Sequence, residues 1–140
     1  LEGTIRAYST TVRKQIISSV TRIATGIAQT MNGDSRFEIL YGTPPVVNDS
    51  KVAKWMSGIA TSVVGEKKVT EWDPVSVGDD VSEFINRIPG AYILLGGGFT
   101  EDSLLDVPSS GHHNNRFDFD EKCLPIGVEL FLRASFDFLS

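Results

Sequence analysis

The sequence predicts an α/β fold, and three observations carry that expectation. A long amphipathic helix pattern lies between two short stretches of strand-like alternation. A continuous apolar run, Ala91 to Leu95, empties into Gly96-Gly97-Gly98, as a strand covered on both faces would. An apolar C-terminal segment, beginning near Glu121, has the length and spacing of a helix with a buried side.

Taken in order, residues 3–8 alternate with a period of two, with Ile5 and Ala7 on one face and Thr4, Arg6 and Tyr8 on the other. Ser9, Thr10 and Thr11 are N-cap candidates for a helix whose apolar face is Val12, Ile16, Val20, Ile23, Ile27 and Met31. Asn32-Gly33 is expected to stop it. A second strand is expected over 36–41. Pro44-Pro45 then excludes both a helix interior and a central strand, and marks a boundary between two units. Asn48, Asp49 and Ser50 can cap a second helix with Val52, Trp55, Met56, Ile59 and Val63 inward, closing at Gly65. An edge strand is expected over 67–72. A short helix should start at Asp79 or Asp80 and end at Pro89-Gly90. After a polar loop over 99–115, the last helix is expected from about 120 to 139, burying Leu124, Val128, Phe131 and Phe138. Pro125 fits only its first turn.

A net charge of −5, with no stripe of Lys and Arg, argues against a nucleic-acid surface. No apolar run approaches a membrane span. Cys123 is alone, so no intrachain disulfide or CxxC metal knuckle can form, which suits a reducing, cytoplasmic setting. The chain opens Leu1-Glu2-Gly3 without Met, so its natural start is expected upstream.

Chemistry could sit beyond the carboxyl end of the 91–95 strand, where open α/β sheets bind ligands. Glycines there would let backbone amides approach a ligand, although a flexible turn accounts for Gly96–Gly98 at least as well. His112 and His113 stand side by side in the loop that follows. His113 reads as a metal ligand or as a solvated loop histidine. The second is the commoner role of an isolated histidine, and nearby Arg116, Asp118 and Asp120 favour the first. Asp120 can also cap the last helix. Arg6 is either a carboxylate clamp or a solvated cation. Asp79-Asp80 could serve acid/base chemistry or cap a helix. Nucleophilic catalysis has no supporting motif, since no nucleophile elbow is present and Cys123 flanks a helix.

Four motifs, GTIRAYS at 3–9, PPVVND at 44–49, IPGAYILLGGG at 88–98 and HHNNRFDFDEKCLPIG at 112–127, appear in the order found in the metal-dependent aminoacylase and carboxypeptidase family. The chain resembles the C-terminal part of that family's amidohydrolase branch, which includes hydrolases of N-acyl and indole-acetyl amino acids. The resemblance implies an incomplete fold. Residues 1–45 would be the second half of a β-α-β lid that also dimerises, and 46–140 the C-terminal part of an α/β zinc-exopeptidase-like catalytic domain. It implies two divalent metals, zinc first and manganese second, bridged by a water that attacks the amide while a glutamate moves its proton.

By motif match, His113 corresponds to the last metal ligand, Arg6 to a lid arginine suited to the substrate carboxylate, and Gly96 and Gly97 to a substrate loop. His112 stands where relatives often carry an apolar residue, so its role is open. Gly78-Asp79-Asp80-Val81 departs from the family's Gly-Glu-Asp-Phe. The remaining ligands, the general base and the lid histidine lie upstream in relatives. The isolated chain is therefore expected to contain no catalytic residue, to hold no metal stably and to be inactive. The alternatives are a non-catalytic binding or dimerisation module of the same descent, and an unrelated small α/β domain with solvated histidines.

Overall fold

The computed structural model describes residues 2–76, 78–99 and 111–140. Among the described residues four α-helices follow one another: α1 (Thr10–Thr30), α2 (Ser50–Val64), α3 (Ser82–Ile85) and α4 (Cys123–Leu139), with a 3-10 turn at Glu66–Lys68 after α2. They fall into two packed units. The first comprises Leu1–Val52 and Trp72–Tyr92, the second Ala53–Glu71 and Ile93–Ser140.

The helix ends follow the capping residues. Ser9 takes extended backbone and its hydroxyl accepts from the Thr11 N–H, opening α1. At the other end Asn32 adopts a left-handed φ of 54°. The Gly33 N–H then reaches Ala28 O at 2.8 Å and the Asn32 N–H reaches Gln29 O at 3.1 Å, a Schellman closure. Asp49 opens α2, its Oδ1 accepting from Lys51 and Val52 at 2.9 and 3.0 Å. Gly65, at φ 86°, closes it. The same turn converts the start of the expected edge strand over 67–72 into the 3-10 turn, through Lys68 N–H to Gly65 O.

No strand forms among the described residues. The segments expected as strands at 3–8, 36–41, 67–72 and 91–95 lack ladder partners, and a strand without a neighbouring backbone has no ladder to make. The alternation is nevertheless visible at 5–8, where Ile5 and Ala7 are half-buried and Arg6 and Tyr8 exposed. In 91–95 a side chain stands in for a strand. The Asn48 carboxamide accepts from Tyr92 N–H at 2.8 Å and donates to Tyr92 O at 3.0 Å. Beyond it the run is not covered on both faces, and Leu94 is 60% exposed. Such cover takes flanking strands and helices on both sides.

The apolar stripe expected to face inward on α1 is displaced by about one residue. Arg13, Ile16, Ile17, Thr21, Ala24, Thr25 and Ala28 form the covered side, so that of the expected stripe Ile16 is kept. Polar contacts decide this: Arg13 donates to Thr43 O at 2.9 Å and the Thr25 and Ser35 hydroxyls pair at 3.0 Å. Ile23, Ile27 and Met31 are left exposed. The carbonyl of Pro45 accepts from Asn86 Nδ2 at 2.9 Å, so the backbone flanking the double proline is held by side chains from α1 and from the end of α3.

In the second unit α2 keeps its expected side, with Trp55, Met56, Ile59 and Val63 half-buried. α4 does not. Its covered side is Cys123, Ile126, Gly127, Leu130 and Ala134, and Leu130 is buried. Leu124, Val128, Phe131 and Phe138 point outward. Trp55 Nε1 donates to Asp137 Oδ2 at 2.6 Å and Arg133 reaches Ser62 Oγ at 3.4 Å. Gly127 lies against Leu95, where a Cβ would stand 3.3 Å from Leu95 Cδ2. Small residues and polar edges, rather than the largest side chains, set the rotation of this helix.

Candidate functional site

The glycine run and the segment leading into α4 meet in the second unit. Asp120 N–H donates to Gly97 O at 2.8 Å. On the other side of the same glycine a Cβ would stand 3.2 Å from Cys123 Sγ and 3.5 Å from Phe119 Cβ. Gly97 is therefore clasped by the turn 119–123, and a larger residue would push that turn away. Gly96 has open space around it. Asp120 closes its own turn instead of capping α4, its Oδ1 accepting from Lys122 N–H at 3.0 Å, and the N-cap position falls two residues later, at Lys122, without a side-chain cap bond.

The histidines stand on the loop that enters this turn. Both are exposed. His113 has φ 63°, left-handed backbone that costs a non-glycine residue roughly 1–2 kcal/mol. Around it Arg116 N–H donates to Asn114 Oδ1 at 2.8 Å and Phe117 N–H to Asn114 O at 3.0 Å. The His112 ring meets Phe117 edge-on at a centroid distance of 4.9 Å, and Phe117 lies 6.2 Å from Phe119. The acids expected to orient an imidazole are engaged elsewhere. Asp118 accepts from Phe119 N–H, and Asp120 from Lys122.

Among the described residues no three His, Cys, Asp or Glu side chains stand together as a metal-holding group. A zinc site typically takes about three or four protein ligands, so these residues alone do not build one. What the second unit does provide is one imidazole on a backbone in an uncommon conformation, next to His112, whose ring meets Phe117 and through it Phe119 beside a clasped glycine.

The other predicted residues lie in the first unit. Arg6 is exposed and donates through one Nη to Ser76 O at 2.7 Å. Tyr8 donates to Pro74 O at 2.9 Å and accepts from Ser76 Oγ at 3.0 Å. The guanidinium is thus oriented by a strap over 74–76. Asp79 is a structural acid. Its Oδ1 accepts from Val81 N–H at 2.9 Å and its Oδ2 from the Tyr92 hydroxyl at 3.0 Å. The Val81 N–H first, and then the Tyr92 hydroxyl, hold its carboxyl below the usual value of 3.8. The same bond raises the Tyr92 phenol above 10.0. A carboxylate kept ionised makes a poor general acid.

A comparison with known families matches residues 6–136 to the peptidase family M20/M25/M40. The chain belongs to that family. An uncharacterized hydrolase of Sinorhizobium fredii is 27% identical over 99% of this chain and 33% of its own length. An IAA-amino acid hydrolase of Arabidopsis thaliana is 27% identical over 91% of the chain and 29% of its own length. An N-acetyldiaminopimelate deacetylase of Lactobacillus acidophilus is 29% identical over 92% and 32%. The chain spans about a third of the length of these relatives. No solved structure matches. The four-motif resemblance to the amidohydrolase branch is borne out, and members of this family are generally dependent on divalent metals. No helix among the described residues is long and apolar enough to cross a membrane.

Sequence reasoning missed Asn48, Phe119 and Cys123 as holding residues. Asn48 looks like a cap in the sequence, and Asp49 takes that role. The signal for Cys123 was its place four residues after Phe119, on the side of the α4 start that meets Gly97.

The depressed Asp79 carboxyl fixes the sign of a pH effect. Its contribution to stability is complete above the ordinary carboxylate range and is lost as pH falls through the lowered value. Tyr92→Phe removes the second donor. In a pH titration followed by carboxyl NMR, Asp79 is then expected to titrate closer to 3.8.

Proposed function

We propose that this chain is the C-terminal part of a metal-dependent amidohydrolase that cleaves the amide of N-acyl amino acids or related small amides. The observation that carries the reading is the family match across 6–136, together with the imidazole loop and clasped glycine at the motif positions where relatives have a ligand and a substrate loop. The names of relatives point the same way, an amino-acid conjugate hydrolase and an N-acetyl amino acid deacetylase among them. In this reading residues 1–45 are half of a lid that pairs two protomers, and 46–140 are catalytic-domain sequence. A metal pair, zinc or manganese, supplies an activated water when bound.

The chain's own residues take three roles. His113 contributes one imidazole to the metal centre. Arg6, with one Nη spent on Ser76 O, has the rest of its fork for a substrate carboxylate. Gly97, fixed by Asp120 and Cys123, holds the backbone of the substrate loop in place, with Gly96 beside it.

The 140-residue polypeptide with added zinc or manganese is expected to give no hydrolysis of N-acetyl amino acids. A protein extended by its upstream coding sequence is expected to hydrolyse them in a metal-dependent manner. There Arg6→Ala should raise KM by about 10–100-fold, the worth of a charge-assisted hydrogen bond, and His113→Ala should abolish turnover. Metal-dependent turnover by the 140-residue chain alone would contradict the proposal.

The second reading, a non-catalytic dimerising module, draws on Ile23, Ile27 and Met31 standing exposed along one side of α1. It requires self-association, seen in sedimentation equilibrium and removed by Ile27→Lys. A well-folded chain that stays monomeric at all concentrations would retire it.

A further inference from the structure

The pair His112–His113 invites the reading that both imidazoles serve the same purpose, and the geometry separates them. His113 carries the left-handed φ of 63°; His112 does not, and its ring is set edge-on against Phe117 at 4.9 Å and 77°. Residues 112 and 117 flank His113–Arg116, so the ring contact closes the stem of a short loop with His113 just inside it. Within the loop Asn114 supplies both acceptors, through Oδ1 to Arg116 N–H and through its carbonyl to Phe117 N–H. These bonds shape residues 114–117. Residues 112 and 113 form a turn of their own, and the ring contact stands beside it.

Uncommon backbone conformations persist where the surroundings over-determine them. An edge-to-face contact gives that kind of directional restraint, since the positive ring edge meets the negative ring face. Phe117 then contacts Phe119, whose Cβ borders Gly97, and Asp120 binds Gly97 O. A continuous line of contacts therefore runs from His112 to the clasped glycine.

We propose that His112 is a positioning residue, its ring closing the loop stem against Phe117 and thereby holding His113 in the left-handed turn that presents its imidazole. The proposal rests on the assignment of His113 as the presented ligand, and it gives His112 a role that does not use its nitrogens. A ring of similar shape at that position does the same work.

The test uses the 140-residue chain and NMR. A left-handed residue gives a strong intraresidue NOE between amide and α protons, and Phe117 displaces the His112 ring protons by its ring current. His112→Ala and Phe117→Leu are expected to lose the His113 NOE, and Phe117→Leu to lose the ring-current displacement. His112→Phe is expected to keep the NOE. Protection of the Leu130 amide in α4 serves as the check that each variant is folded. A His113 NOE that survives in both His112→Ala and Phe117→Leu overturns the proposal. So does its loss in a folded His112→Phe.

Zinc titration, read on the imidazole nitrogens, separates the two ideas. A shift at His113, weaker in His112→Ala and restored in His112→Phe, supports the proposal. A coordination shift at His112 overturns it. No shift at either ring, with the NOE pattern intact, removes the ligand assignment of His113 and upholds the positioning role of His112.

Discussion

The second unit depends on how closely the turn 119–123 approaches the backbone of Gly97. On one side the carbonyl of that glycine accepts from Asp120 N–H at 2.8 Å. On the other, the space a Cβ would fill is taken by Cys123 Sγ and Phe119. Backbone and side chain therefore hold the same residue from two directions. The glycine is needed here for closeness rather than for its backbone angle, since its φ is not left-handed. From this contact the loop carrying His113 extends one way and α4 the other.

That arrangement explains why α4 presents the side it does. With Cys123 turned to Gly97 and Gly127 lying on Leu95, the helix must face inward along Cys123, Ile126, Gly127, Leu130 and Ala134. Its larger residues, Phe131 and Phe138 among them, are left outward. A helix apolar on most of its circumference is usually covered on more than one side. The same holds for the outward stripe of α1 and for Leu94 in the apolar run.

The sequence conveys the local features of the fold well and the relations between elements less well. Ser9, Asn32, Asp49 and Gly65 mark helix ends in the sequence and do so in the structure, because capping is decided within a few residues. The rotation of α1 and α4 is not local. It follows from Arg13 reaching Thr43 and from Cys123 meeting Gly97, contacts that a periodicity count cannot see. Strands are the extreme case, because their hydrogen bonds lie wholly between segments. Of the candidate site, the histidine loop and glycine run are legible as motifs. The bonds that Asp79 and Asn48 make to Tyr92 are not, since they join residues 13 and 44 positions apart.

The most direct test of the clasp at Gly97 is a double-mutant comparison read through hydrogen exchange of the Asp120 amide. Gly97→Ala alone is expected to speed that exchange about tenfold, roughly 1.4 kcal/mol, by overpacking against the Cys123 sulfur. Adding Cys123→Ala removes the sulfur and is expected to restore most of the protection. If Gly97→Ala leaves the Asp120 amide protected, or if the double variant exchanges as fast as the single one, the turn is not held against Gly97 in the way described.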